Sequence, residues 1–289
     1  MGPVRPSTLL TIFLGTLFAG CFQQIAVNSL GGILDNGFEV LNEEQDLELA
    51  DKSIASNLKL IETLLRTDPD NRHYLLLASM GYSSYALGFV EDESSDRARL
   101  FYLRGKEYGL KILNHNERFG GALEKGADEL RRALESFSKD DVPAVFWTAI
   151  GWGSAIGLSL SDPAALADVQ KVEVMMNFVL EKDPTYFYGG AHFFLGTLAA
   201  TRPPMLGGSP ENSRMHFEEC LKINSGKYLM TYVYYARWYA VRVQNRELFE
   251  RYLTMVDTAS IDVLPEARLS NAIAKKKARL LRLKVDELF

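Results

Sequence analysis

The residues able to do chemistry in this 289-residue chain are few and scattered. Its four histidines, His73, His115, His192 and His216, stand far apart in sequence, and neither an HExxH nor a CxxC spacing occurs. Metal ligation needs such convergence, so no metal site is expected. The stretch GWGSAIG at 151–157 has the look of a dinucleotide loop, but it follows no strand, and glycines on a closely packed helix account for it. Gly121 to Gly126 have the glycine spacing of a phosphate loop, yet Ala127 and Asp128 occupy the places of the lysine and hydroxyl that would hold phosphate and magnesium. Paired carboxylates such as Asp140–Asp141 and Glu218–Glu219 suit solvated helix faces. No nucleophile, base and orienting group can be assembled, so an enzyme is not expected, and neither is a cofactor.

The cysteines carry more. An apolar run from Leu9 to Phe18 follows a head with one positive charge, Arg5, and precedes Ala19, Gly20 and Cys21. Ten apolar residues are too few for a membrane span, which needs roughly twenty. The layout is that of a secretory signal peptide, residues 1–20, and the residues before Cys21 resemble a lipobox with a relaxed first position. In such signals the cysteine becomes the lipidated N-terminus, and two or more acyl chains make a stable anchor. A plain signal peptide followed by a free thiol is the alternative. Lipidation at Cys21 would leave Cys220 alone, so packing, with no disulfide framework, has to hold the fold. Without residues 1–20 the chain has 31 basic and 37 acidic residues, a balance that argues against a nucleic-acid partner.

The elements that must position everything else are helical. After a lipidated tether or short helix over 21–45, a single helical domain is expected over 46–289. Leu47, Ala50, Ile54, Leu58, Ile61 and Leu65 step by three and four until DPDN at 68–71. The same period runs through Phe119, Leu123, Ala127, Leu130, Leu134 and Phe137, and through Ala274, Ala278, Leu281, Val285 and Leu288. Every proline beyond the signal falls at an inferred helix boundary, where its missing N–H costs little.

The all-α reading sharpens into about four degenerate tetratricopeptide-type hairpins in a superhelical array, with extra helices at both ends. In the last hairpin, Ala236 at the small eighth position of a repeat of about 34 residues puts Tyr232, Tyr235, Tyr239, Leu248, Tyr252 and Met255 at the large positions without insertion. Gly81 with Ala98, Tyr102 and Gly105, Trp147, Ile150 and Gly151 with Val172, Met176 and Val179, and Leu195 and Gly196 with Phe217 and Cys220 give three looser pairs. An irregular helical domain is the alternative.

The segments MGYSSYALGFVED, FWTAIGWGSAIGLS, KDPTYFYGGAHFFLGTL, PPMLGGSPENS, VYYARWYAVRVQNRELFERYL and a terminal KVDELF together resemble the T-component lipoproteins (TatT) of tripartite ATP-independent periplasmic (TRAP) transporters. The resemblance spans residues 21–289; its more specific pieces are Leu206–Ser209, Trp152–Gly153 and Leu288–Phe289, and Cys220 departs from it where a small alanine-like residue is expected. It implies a periplasmic homotrimer, lipid-anchored at a cell-envelope membrane (the inner one being expected), that docks a TRAP solute-binding protein and holds a hydrophobic small molecule in an internal channel.

Carried onto the inner groove positions of such repeats, the larger side chains are Tyr82, Tyr85, Trp152, Phe193, Met230, Val233 and Arg237. An aromatic groove with one cation suits an apolar, carboxylate-bearing ligand. The same residues packed shut would make an envelope-assembly scaffold with no ligand. The basic side of the last helix, Lys275, Arg279 and Arg282 with Lys276, Lys277 and Lys284 nearby, is expected to cap the array, with anionic lipid contact as the alternative.

Overall fold

The computed structural model describes residues 32–159 and 162–289. Cys21 and residues 1–20, where a signal peptide is expected, lie outside the described residues. The chain divides into two units, one ending at Val40 and one running from Leu41 to Phe289. In the first, the described residues are helical, the start of α1 (32–42). All that follows concerns the second.

Among the described residues every regular element is a helix. α2 (Leu47–Thr67) starts where the Asp46 carboxylate accepts the Glu48 and Leu49 amides and ends at Asp68, as its apolar period predicts. α3 (Arg72–Tyr85) is capped by Asn71 and runs on into a π-helical turn, Ala86–Val90. α4 (Ser95–Leu113) follows the Ser94 cap. The apolar period over Phe119–Phe137 turns out not to be one helix. It is α5 (Glu117–Leu123) and α6 (Ala127–Leu134), broken at Gly126, whose φ of 106° belongs to the left-handed region open to glycine. Phe119, Leu130, Leu134 and Phe137 are buried all the same, because two short helices can share a face that one long one would have offered.

α7 (Val142–Gly157), short α8 (Pro163–Ala167), α9 (Val169–Lys182), α10 (Tyr186–Thr201) and α11 (Pro210–Ile223) come next, with prolines in the first turns of α7, α8 and α11. α12 (Met230–Tyr234) passes into a second π-helical turn, Tyr235–Ala240, and then come α13 (Arg246–Thr258), α14 (Arg268–Arg282) and α15 (Val285–Leu288). The terminal apolar period is likewise split, at Leu283–Lys284.

The four inferred pairs are in contact: α3 with α4, α7 with α9, α10 with α11, and α12 with its π turn against α13. The first member of each pair also touches the first member of the next, and α14 returns to α2. In the last pair the register differs from the expected one. Phe249, Leu253 and Val256 form the buried side of α13, and Met255 is 41% exposed. The physical reason is the π turn at Tyr235–Ala240, which adds a residue to the helix ahead of the loop and shifts the face that follows.

Candidate functional site

The two π turns define one region. The first delivers Glu91, its C-cap residue, and the second carries Arg237 and Trp238. Wide turns of this kind interrupt the regular ladder and recur at functional sites. The Tyr102 hydroxyl, from α4, donates to Glu91 Oε2 at 2.6 Å. Arg237 lies 3.9 Å from Glu91 Oε1, too long for a hydrogen bond, and its guanidinium rests 4.6 Å from the centre of the Trp238 ring. Its side chain is 37% exposed, so donors of the guanidinium remain available. Burial, and then the Glu91 charge, hold the Tyr102 and Tyr234 hydroxyls well above the ordinary phenol range, so both stay neutral donors.

Aromatic side chains surround this charge pair. Phe193 on α10 meets Tyr234 at 4.4 Å and Phe217 at 6.4 Å between ring centres. Met230 and Val233 are buried in the same core as Tyr82 and Tyr85, and Phe193 packs against it. Tyr85 rests on Phe89 and Phe101. The Tyr82 ring stacks on Tyr108, and both hydroxyls donate to Glu62 Oε1, at 2.7 and 2.9 Å, where Arg104 also arrives at 2.5 Å. Burial alone would raise the Glu62 carboxyl; hydrogen bonds from Tyr82, Lys59 and Tyr108 and the Arg104 charge outweigh it and hold the group below its usual range. This anchor joins α2, α3 and α4. Trp152 stands elsewhere, on α7, with the Lys106 and Lys171 ammonium groups 4.5 and 5.7 Å from its ring centre. Each such contact is worth about 0.5–1 kcal/mol at partly open sites.

The structure therefore brings Tyr82, Tyr85, Met230, Val233 and Phe193 into one packed cluster and sets Arg237 at its polar edge. Tyr102, which the repeat spacing placed in the first helix pair, completes that edge together with Glu91, Tyr234 and Trp238, which periodicity did not single out. Among the described residues no helix is long and apolar enough to cross a membrane, and no group of three or more potential metal ligands occurs.

The histidines do not all stay apart. His192 on α10 and His216 on α11 meet Nδ1 to Nδ1 at 2.9 Å, one ring donating and the other accepting. Burial and then the neighbouring His192 push His216 down to about 4, and burial lowers His192, with Glu219 opposing. The unfolded chain therefore binds protons here more readily than the folded one, and stability must fall as pH drops from about 6.5, the ordinary histidine value, toward about 4. Discounted for the half-exposed setting, the loss is about 1–2 kcal/mol. Urea unfolding of the native protein and His216→Gln between pH 7 and 4.5 checks it: the variant should lose less stability over that interval, and parallel curves would exclude the pair as the cause.

Fold and site define an all-helical protein with an aromatic interior edged by one loosely held ion pair. The chain belongs to the TRAP transporter T-component family, whose sequence profile matches residues 43–289. This is a family of transporter-associated components and not of enzymes, so the chain's association is with a TRAP transport system in the cell envelope. It is also similar to a protein of Treponema pallidum (strain Nichols) described only as uncharacterized, with 26% identity over 270 residues, covering 86% of this chain and 82% of that one.

Proposed function

We propose that this chain is a lipid-anchored periplasmic adaptor, attached through Cys21, that docks the solute-binding protein of a TRAP transporter as a homotrimer and receives an apolar, carboxylate-bearing solute in its interior. The family supports the transporter link, and four successive helix pairs support a tetratricopeptide-type array. The observation that carries the ligand reading is Arg237: a guanidinium on an indole face, inside an aromatic wall, 3.9 Å from its only carboxylate partner within 4 Å among the described residues. A ligand carboxylate could take two of its donors side by side. Tyr82, Tyr85, Phe193, Met230 and Val233 would form the apolar wall, and Trp152 a second aromatic station between Lys106 and Lys171.

The burial of Tyr82, Tyr85, Met230 and Val233 favours a second reading, an assembly scaffold with a closed interior. Residues 22–289 offered to periplasmic extract, with native mass spectrometry of the eluate, separate the two. The first reading expects a stoichiometric complex with a solute-binding protein and a retained small amphiphile, and Arg237→Ala should weaken retention by about 10- to 100-fold, the worth of a charged hydrogen bond. Bare oligomers, or capture of envelope-assembly proteins alone, would support the scaffold.

A further inference from the structure

Lys275, Lys276, Lys277, Arg279, Arg282 and Lys284 lie in or just after α14, and no acidic residue occurs between Ala267 and Val285. Three of these cations are engaged inside the fold. Lys277 holds the Asp92 carboxylate, the Lys275 ammonium donates to the Asp257 carbonyl at 3.0 Å, and Arg282 is bonded to the Asp257 carboxylate with Glu250 3.4 Å away. Lys276, Arg279 and Lys284 make no ion pair among the described residues. The next carboxylate along the chain, Asp286, is taken by Arg246.

The unpaired cations share one side of the helix with its exposed apolar groups. Lys276, Arg279, Leu280 and Leu283 are spaced by three or four residues, or adjoin, so they fall on one helical face. Leu283, the C-cap, still has right-handed helical backbone, and Lys284 follows it. Leu283 is 82% exposed and Leu280 37%. Cations near a helix C-terminus complement its dipole, which would account for the charges alone. It does not account for two leucines held in water among them. A basic helix face with protruding leucines matches an anionic lipid surface, where the apolar side chains enter the boundary below the head groups and the cations stay among them.

We propose that this face of α14 is a second membrane contact: Leu280 and Leu283 enter the head-group boundary of the membrane that carries the chain, and Lys276, Arg279 and Lys284 meet its anionic lipids. The path of the chain favours this occupant. Arg268, the first residue of α14, donates to the Glu43 carbonyl at 3.1 Å, so the segment leading back toward Cys21 departs beside this helix. Leu283 is about 22 Å further along the helix. The twenty-two residues from Cys21 to Glu43 can span about 50 Å even with 32–42 helical, enough for anchor and face to meet one membrane. That part of the argument rests on the lipid anchor proposed above; the contact itself does not need it.

Residues 22–289, which lack the lipid, are therefore tested by co-sedimentation at low salt with vesicles of phosphatidylglycerol and phosphatidylcholine in equal parts, and with phosphatidylcholine alone. Binding to the anionic vesicles should be at least tenfold tighter. Each cation near such a surface strengthens binding about fivefold, so the triple change Lys276→Gln, Arg279→Gln, Lys284→Gln should weaken it about 100-fold. Leu283→Ser should weaken it about tenfold. Lys125→Gln, Arg131→Gln, Arg132→Gln removes the same charge from exposed positions around α6 and should change little. All these side chains lie at the surface, and circular dichroism checks that each variant is folded. No preference for anionic vesicles, binding untouched by the α14 triple change, or an equal loss in the α6 control would each overturn the proposal. Capture of an acidic protein by this face without vesicle binding would overturn it too, in favour of a protein partner. The anchor is judged separately, by the mass of the native chain at Cys21, and neither answer there alters what residues 22–289 do.

Discussion

Replacing Gly151 by valine is expected to destabilise the protein by about 3 kcal/mol, at the upper end of overpacking costs. A Cβ at this position would sit 2.8 Å from the Tyr102 carbonyl oxygen and 2.9 Å from the Lys106 amide nitrogen, both backbone atoms of α4, with Ser83 Oγ at 3.2 Å. Backbone cannot swing aside as a side chain can, so α4 and α7 would have to separate. The helices meet this closely because α4 offers Gly105 and Gly109 in turn: a Cβ at Gly105 would lie 2.9 Å from the Ser79 carbonyl of α3, and one at Gly109 would overlap Thr148 Oγ1 of α7. Ser79, Ser83 and Thr148 are all fully buried at this junction. Alanine at 151 tests the balance more finely, since helix propensity favours it over glycine by about 1 kcal/mol, and the backbone contacts should still win. Gly121, on α5 with open space around its would-be Cβ, is the control, where alanine should stabilise by up to about 1 kcal/mol. Urea denaturation of the three variants settles the matter; a Gly151→Val midpoint equal to that of the native chain would refute the close approach.

The second large effect is expected at the other end of the chain. Lys277 is only 5% exposed, and its ammonium sits 2.9 Å from each carboxylate oxygen of Asp92, just beyond the first π turn. Alongside, the Ile273 side chain fills the space over Gly88. Lys277→Met should cost about 3 kcal/mol, because it leaves Asp92 partly buried without its counter-charge, at the low end for a broken buried pair since Asp92 keeps some access to water. Adding Asp92→Leu should recover most of the loss, since an apolar pair of similar volume is often no worse than the ion pair it replaces. A double-mutant cycle in urea measures the coupling, and single losses that simply add would mean that the two groups do not stabilise each other.

Three basic residues of the last helix are drawn into the fold: Lys277 is buried against Asp92, the Lys275 ammonium donates to the Asp257 carbonyl, and Arg282 is bonded to the Asp257 carboxylate. The helix is tied down by its charges, and α14 with its neighbours returns to the beginning of the domain, where Arg268 also donates to the Glu43 carbonyl.

What the sequence determined by itself is whatever depends on residues three or four apart. The apolar stripe of α2 and its stop at Asp68–Asn71, the prolines in first turns, and the small residues that let α4 meet α7 are written in local spacing, because a helix repeats its face every 3.6 residues or so. The pairing of Gly81, Gly151, Gly196 and Ala236 helices with their successors followed from the same logic. Tertiary structure alone decided the rest. A single left-handed glycine at 126 divides a periodic stripe without disturbing its pattern, and a π turn shifts a face by one residue while the composition reads the same. The left-handed turn at Phe187–Gly189 rests on Asn224, Cys220, Tyr228 and Trp147, which lie far along the chain. His192 finds His216, Arg237 approaches Glu91, and Lys277 reaches Asp92 over separations of 24, 146 and 185 residues. No local period encodes those meetings; they exist because helices that each bury one stripe must choose, collectively, which neighbours to bury it against.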